Sequence, residues 1–448
     1  MIQQIPLTKR RTLKWLLVLA VLLGAAWAQT ETVLYNFCAH GGDKCSDGSA
    51  PIGALIFDQA GNLYGTTSFG GAHGRGVAFK VTPKGEETVL YSFCTLNDCA
   101  DGSFPQPGLI FDQQGNLYGT TLEGGTHNKN LCRKGCGVVF RLSPEGGETV
   151  LYSFCAHDNF CPDGLSPDGL AIDQKGTLYG TTYGGGVHNN GWCYEGCGLV
   201  FKLSSEGKET ILYRFCAHNH NCVDGLNPNG LTFDSEGNLY GTTMLGGVHE
   251  LCALGSVGCG VVFKLTPQGK ETVLYSFCAL GGGNCTDGQF PNSGLAFDQK
   301  GNIYGTTEFG GESGTGTVFK LTPTGKETVL HSFCALNDCS DGQAPSVGLV
   351  IDQKGNLYGT TYYGGAYYGE CDVGGSGCGV VFKVAPKGEE TVLYSFCAQD
   401  SCTDGAQPQA GLVIDQKGDL YGTTVVGGAY DKCSYYGPGC GVVFKLTP

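Results

Sequence analysis

The chain predicts an all-β fold: a seven-bladed β-propeller of four-stranded antiparallel blades, closed by the N-terminal strand completing the last blade. Three observations predict it. The phrase E-T-V-L-Y recurs, with small variations, at Glu31, Glu87, Glu148, Glu209, Glu271, Glu327 and Glu390. Each copy holds four short stretches of strand character separated by turn chemistry. No segment of useful length carries helical periodicity. A right-handed β-helix would need far shorter rungs, and an open solenoid would need polar caps that neither end copy supplies.

The first stretch of each copy, T-V-L-Y-x-F-C, is rich in β-branched and aromatic residues. The second is G-L-x-F/I-D, as at 108–112, and the third is N-L-Y-G-T-T, as at 116–121. The fourth is G-V-V-F-K-L-T-P, carried at 137–144 with Arg141 and Ser143. D-Q-x-G-N between the second and third supplies a glycine for a short hairpin. T-P-x-G-K-E leads from the fourth into the next copy as a short polar turn. The mature chain begins with a first strand and ends at Pro448, just after a fourth. Residues 31–37 are therefore expected to complete the last blade beside 441–447, leaving no open edge.

Residues 1–28 read as a signal peptide: Lys9, Arg10, Arg11 and Lys14 precede an apolar run over 15–23, and Ala26-Trp27-Ala28 is an A-x-A cleavage site. The domain is then 31–448, one seven-repeat ring of a secreted or periplasmic bacterial protein, expected as a monomer with no membrane segment after cleavage. Removing 1–28 takes four positive charges and no negative one, so the formal charge of −14 becomes −18. Such a surface repels phosphate backbones, which excludes nucleic acid as a partner.

The 24 cysteines fall into two local families. One pair follows each first strand: Cys38/Cys45, Cys94/Cys99, Cys155/Cys161, Cys216/Cys222, Cys278/Cys285, Cys334/Cys339 and Cys397/Cys402. A second precedes the fourth strand in five copies: Cys132/Cys136, Cys193/Cys197, Cys252/Cys259, Cys371/Cys378 and Cys433/Cys440. The first and fifth copies lack both members of the second pair. Loss by pairs predicts bonding by pairs, as twelve local and independent disulfides in an exported chain. Drifting spacings argue against four-cysteine zinc.

Both cysteine loops lie on one face of an up-and-down blade and carry the length variation, so they are the expected working face. Three features there carry chemistry. C-x-D-G-x-x-P places Asp47, Asp101, Asp163, Asp224, Asp287, Asp341 and Asp404 at equivalent positions. A ring of carboxylates suits calcium, while the plain reading is an Asx turn in each loop. G-G-x-H supplies His73, His127, His188 and His249, either a transition-metal set or solvated loop residues. Aromatics decorate the second loop, among them Trp192, Tyr194, Tyr363, Tyr367 and Tyr436. These suit stacking on a glycan or packing against a protein ligand. Cover for the neighbouring disulfides is the plain alternative. No cofactor motif, nucleophile elbow, zincin helix, P-loop or EF-hand spacing is present, and no unique acid or base interrupts the repeats.

The string F-D-Q-x-G-N-L-Y-G-T-T-x-x-G-G followed by G-V-V-F-K-L-T-P resembles the GloVer-type tandem repeat of choice-of-anchor bacterial proteins over the whole of 31–448. It is distantly similar to NHL-type and gluconolactonase-type propellers. The first resemblance implies an exported protein, often with a C-terminal sorting anchor; this chain departs from that pattern by stopping at Pro448, so surface attachment is not expected from the resemblance. The second implies an alternative activity, a metal-dependent hydrolase or lyase of lactonase type at the central tunnel, without assigning its residues. The expected function is a disulfide-stapled binding or scaffold module.

Overall fold

In the computed structural model, residues 29–40, 45–106, 108–126, 132, 134–156, 161–186, 193, 195–216, 222–249, 252, 257–280, 285–336, 338–345, 347–367, 371, 376–431, 433 and 438–448 are described. Seven antiparallel sheets follow one another around a ring. Blade 1 shows the plan. Ser49–Pro51 and Ile56–Phe57 form its inner strand, Leu63–Phe69 its second, Val77–Val81 its third and Glu87–Ser92 its outer strand. Each E-T-V-L-Y segment is thus the outer strand of the blade before the loop that follows it.

The inner strand starts earlier than the G-L-x-F-D stretch, because D-G-x-x-P already joins the sheet: Ser49 pairs with Phe69 and Pro51 with Thr67. It then breaks. Ala50 has φ 52°, as do its counterparts within a few degrees in every copy, and Pro51 has no N–H to donate. Among the described residues only blade 3 keeps an unbroken inner strand, Leu165–Ile172.

The ring closes as its phase requires. Thr30–Asn36 pairs antiparallel with Val442–Thr447, Thr30 opposite Thr447 and Asn36 opposite Val442, so the first strand is the outer strand of blade 7. Blade 7 otherwise consists of Val413–Ile414, Leu420–Thr424 and Val442–Thr447.

Blades are joined by aromatics. The phenylalanine ending T-V-L-Y-x-F packs edge-on against the phenylalanine of the next blade's third strand: Phe37 on Phe79 at 5.0 Å, Phe93 on Phe140 at 4.9 Å, and so on to Phe396 on Phe444 at 5.1 Å. Each of these rings is 0–1% exposed. The glycine of L-Y-G-T-T exists for this contact. A Cβ on Gly65 would lie 2.7 Å from Phe79 Cζ, so the ring rests on bare backbone. Hairpin turns match their chemistry: Asp58 accepts from the N–H groups of Ala60 and Asn62 at 2.8 and 2.9 Å, from Asn62 Nδ2 at 2.7 Å and from the Tyr64 hydroxyl at 3.1 Å.

Candidate functional site

The working surface is built by the two cysteine loops of each blade. Twelve disulfides form in the pairs predicted, and no cysteine is free. They are not independent staples, however. In blade 7, Cys45 Sγ lies 3.4 Å from Cys433 Sγ, although the residues are 388 apart in sequence. The four sulfurs of Cys193/Cys197 and Cys216/Cys222 lie within 4.8 Å of one another, as do those of Cys371/Cys378 and Cys397/Cys402. Outer strand and third strand are neighbours in one sheet, so the loops leaving them at the same end must meet. Pairwise loss in sequence shows that each bond forms alone; it says nothing of contact.

The seven first-loop bonds all form as predicted, but they differ in burial. The closing cysteine of the first loop is buried at Cys45, Cys161, Cys222, Cys285 and Cys402, but Cys99 and Cys339 are only half-buried. Cys94–Cys99 and Cys334–Cys339 belong to blades 1 and 5, whose second loops hold no disulfide, so no second bond lies over them. Cys99, like Cys402, ends a short 3-10 turn, here Asn97–Cys99, which no helical periodicity announces. Both residues hold a left-handed backbone, φ 54° at Cys99 and φ 50° at Cys339. Their carbonyls accept the N–H groups of Gly102 and Gly342, each at 2.9 Å. They shape their loops and are not contact residues of the candidate surface.

Above this layer stands an apolar surface. Ten large apolar side chains are exposed among the described residues. Leu96, Leu280 and Leu336 rise from first cysteine loops. Leu122, Tyr183, Val248, Phe309, Tyr363, Tyr367 and Tyr430 rise from the second loops or the strand ends that lead into them. The D-Q-x-G-N and T-P-x-G-K turns contribute none. Tyr363 meets Tyr362 edge-on at 4.5 Å, and the Tyr362 hydroxyl donates to Gln407 Oε1 at 3.1 Å. Trp192, Tyr194 and Tyr436 lie outside the described residues.

The seven aspartates do not converge on one ion. Each is confined to its own loop between blades, and no three carboxylates or imidazoles share a 4.8 Å cluster among the described residues. Asp47, 1% exposed, accepts from the Tyr35 hydroxyl at 2.7 Å and the Ala39 N–H at 2.8 Å, both at Oδ2. The arrangement repeats from Asp101 with Tyr91 to Asp404 with Tyr394. At Asp341 the tyrosine is replaced by His331, whose Nε2 stands 3.3 Å away. Of the histidines, His73 is exposed on blade 1 and His249 half-buried on blade 4, so the two do not meet. His127 and His188 lie outside the described residues.

Beside each aspartate lies an acid that serves in the sequence only as a marker of phase. The glutamate opening E-T-V-L-Y reaches under the neighbouring cysteine loop, because the turn before it packs on the preceding blade's outer strand: a Cβ on Gly85 would meet Leu34 O at 2.5 Å. Burial first, and then the charge of Asp47, push the Glu87 carboxyl up to about 7. Glu327 is pushed to about 7 by burial and Asp287. Glu31, Glu148, Glu209, Glu271 and Glu390 are raised equally.

The tunnel breaks the symmetry that the repeats suggest. A cavity of about 360 Å³ on the ring axis is lined by Ile52, Ala54, Val347 and several glycines, with Asp168, Asn229, Asn292 and Gln409. Among the described residues Asp168 is the one acid in its lining. Burial raises its carboxyl above the ordinary range, opposed by the Gly169 N–H. Copies 3 and 4 are one residue shorter between the proline and G-L than the others, Pro167-Asp168-Gly169 and Pro228-Asn229-Gly230. Aligning that spacing is the signal that would have found Asp168.

Two consecutive matches, over residues 24–194 and 194–436, are to the Gloeobacter/Verrucomicrobia repeat. The chain belongs to that family. As a Gloeobacter/Verrucomicrobia repeat protein it is also a seven-bladed ring among known propellers. It is similar to the extracellular domain assigned to a hybrid two-component system of B. thetaiotaomicron, at 12% identity and a TM-score of 0.53 over 94% of this chain and 41% of that one. It spans about two fifths of that structure's length, and the likeness is one of fold. A gluconolactonase from Xanthomonas campestris matches at 14% identity and a TM-score of 0.42, over 83% of this chain and 89% of that one. No curated protein matches the chain. Twelve disulfides and no free thiol place this repeat protein outside the reducing cytoplasm.

Proposed function

We propose that the protein is an exported binding or scaffold module that takes a glycan or a protein ligand on its cysteine-loop face. One observation carries the reading: every large apolar side chain exposed among the described residues stands on that face. Tyr363, Tyr367 and Tyr430 stand 36–44% exposed on a layer of paired disulfides. A stacked aromatic held by a rigid scaffold loses little entropy on binding. The acidic charge directs the face toward neutral or cationic ligands. A glycan array with purified protein tests this. Tyr363→Ala and Tyr367→Ala should each weaken a hit about fivefold to tenfold, the worth of one ring contact. An array without hits, together with no protein captured on a Tyr-intact but not a Tyr-substituted bait, would sink the reading.

A second reading, a metal-dependent hydrolase or lyase in the tunnel, is favoured by Asp168 standing with Asn229 and Asn292 on one side of the axis. It predicts lactonase or esterase turnover that chelation abolishes and Asp168→Asn removes. Turnover unaffected by either change excludes it.

A further inference from the structure

We propose that two blade junctions are calcium sites, one between Asp47 and Glu87 and one between Asp287 and Glu327. At each, both acids present a buried oxygen with no hydrogen-bond partner: Asp47 Oδ1 and Glu87 Oε1, Asp287 Oδ1 and Glu327 Oε1. The aspartates are 1% and 0% exposed, and the Glu87 side chain is 2% exposed. A buried ionised carboxylate with an open lone pair is costly unless a proton or a cation meets it. Among the described residues no lysine or arginine forms an ion pair with any of the four. His40, exposed, has its Nε2 4.0 Å from Glu87 Oε2.

The donors are hard: two carboxylates and a phenol oxygen, Tyr35 on Asp47 and Tyr275 on Asp287 at 2.7 Å each. Calcium accepts six to eight oxygens in irregular geometry and completes its shell with water, so it suits a site at the base of a loop.

The other junctions sharpen the choice. At Asp101 and Asp404 the second oxygen is already taken by a loop N–H, from Leu96 at 3.1 Å and Gln399 at 3.3 Å. At Asp341, which also has an open Oδ1, His331 stands where the tyrosine would be and brings its own positive charge when protonated. No open buried oxygen is found at Asp163 or Asp224 among the described residues, and the two sites that keep one beside a tyrosine coincide with a gap in the stapling. Glu87 and Glu327 belong to blades 1 and 5, the two whose second loop carries no disulfide. An ion tying outer strand to entering loop would brace the blades that have one cross-link fewer.

The test uses full-length mature protein, dialysed against EGTA and then equilibrated in 1 mM calcium chloride. Elemental analysis should return two calcium ions per chain; Glu87→Gln and Glu327→Gln should each remove one, and Glu209→Gln none. At pH 8, calcium at a hundredfold excess over Kd should raise the Tm by about 6 °C. The double glutamine variant should lose that gain while melting higher than wild type without calcium, because it removes the repulsion. A purely structural role for the glutamates would lower its Tm under both conditions. The proposal is overturned by fewer than one ion per chain, or by calcium leaving the Tm at pH 8 unchanged. It is equally overturned if the calcium-free protein simply melts lower at pH 8 than at pH 5 with calcium making no difference, which would mean that each pair shares a proton.

Discussion

Replacing Phe37 by alanine asks whether the ring is one cooperative object or a row of blades with a loose end. Phe37 follows the N-terminal strand, is 0% exposed, and packs edge-on between Tyr35 at 5.3 Å and Phe79 of blade 1 at 5.0 Å. Truncating a fully buried phenylalanine costs about 3–5 kcal/mol, transfer and cavity together. For a chain of this length the unfolding entropy is roughly 0.9 kcal/mol/K, so the Tm should fall by about 3–6 °C. Phe215→Ala is the internal control. Phe215 makes the same contact with Phe263 at 5.1 Å in the middle of the chain, where no closure is involved. Calorimetry on the oxidised protein should show one transition for each variant, lowered to the same extent. A silent Phe37→Ala beside a destabilising Phe215→Ala would refute the closure. So would a truncation of residues 29–37 that melts like the intact chain, because it also strips the six-residue pairing along Val442–Thr447.

Three further expectations follow from the same packing. The hairpin aspartates Asp58, Asp112, Asp234, Asp298 and Asp352 sit below the ordinary carboxylate range. Burial, which alone would raise them, is outweighed by the paired Asn side chain and N–H and, except at Asp234, by the Tyr hydroxyl ahead of the next N–H. A depressed folded pKa stabilises above the unfolded value near 4 and is lost as pH falls through the folded one, so the Tm should drop below pH 4 and Asp298→Asn should flatten that drop. Gly65→Ala should cost about 1–3 kcal/mol through collision with the Phe79 ring, measured by chemical denaturation. Gly74→Ala, which meets nothing within 4 Å but sits at φ 70°, should cost only about 1 kcal/mol. Removing Cys38/Cys45 and Cys433/Cys440 together should depart from additivity by about 0.5 kcal/mol or more, because the bonds touch, whereas pairs from separate blades should add.

Much of this molecule is legible from sequence because its information is local and repeated. E-T-V-L-Y sets strand alternation, D-Q-x-G-N sets a turn, and the cysteine pairs sit a few residues apart, so each can be read without knowing what lies across the ring. Even the closure, a contact between residues 30 and 447, follows from phase, since the last copy ends where every other begins an outer strand. Three things lie beyond that reach, each because it depends on distance in space. The stacking of one disulfide on another, and its absence over Cys99 and Cys339, depends on loops from different strands of a sheet. The glutamate beside each aspartate comes from the neighbouring blade's outer strand, carried there by the way a turn seats on the preceding blade. That Asp168 lines the tunnel depends on seven inner strands meeting at the axis, although the one-residue-shorter spacing that sets it apart is in the sequence. Blades, their number and their staples are thus written in the chain, because hydrogen-bonded strands and short loops are specified by neighbours along it. Which buried acids lie beside each other, and which disulfides touch, emerge only on folding, because charge pairing and contact are properties of what the ring brings together.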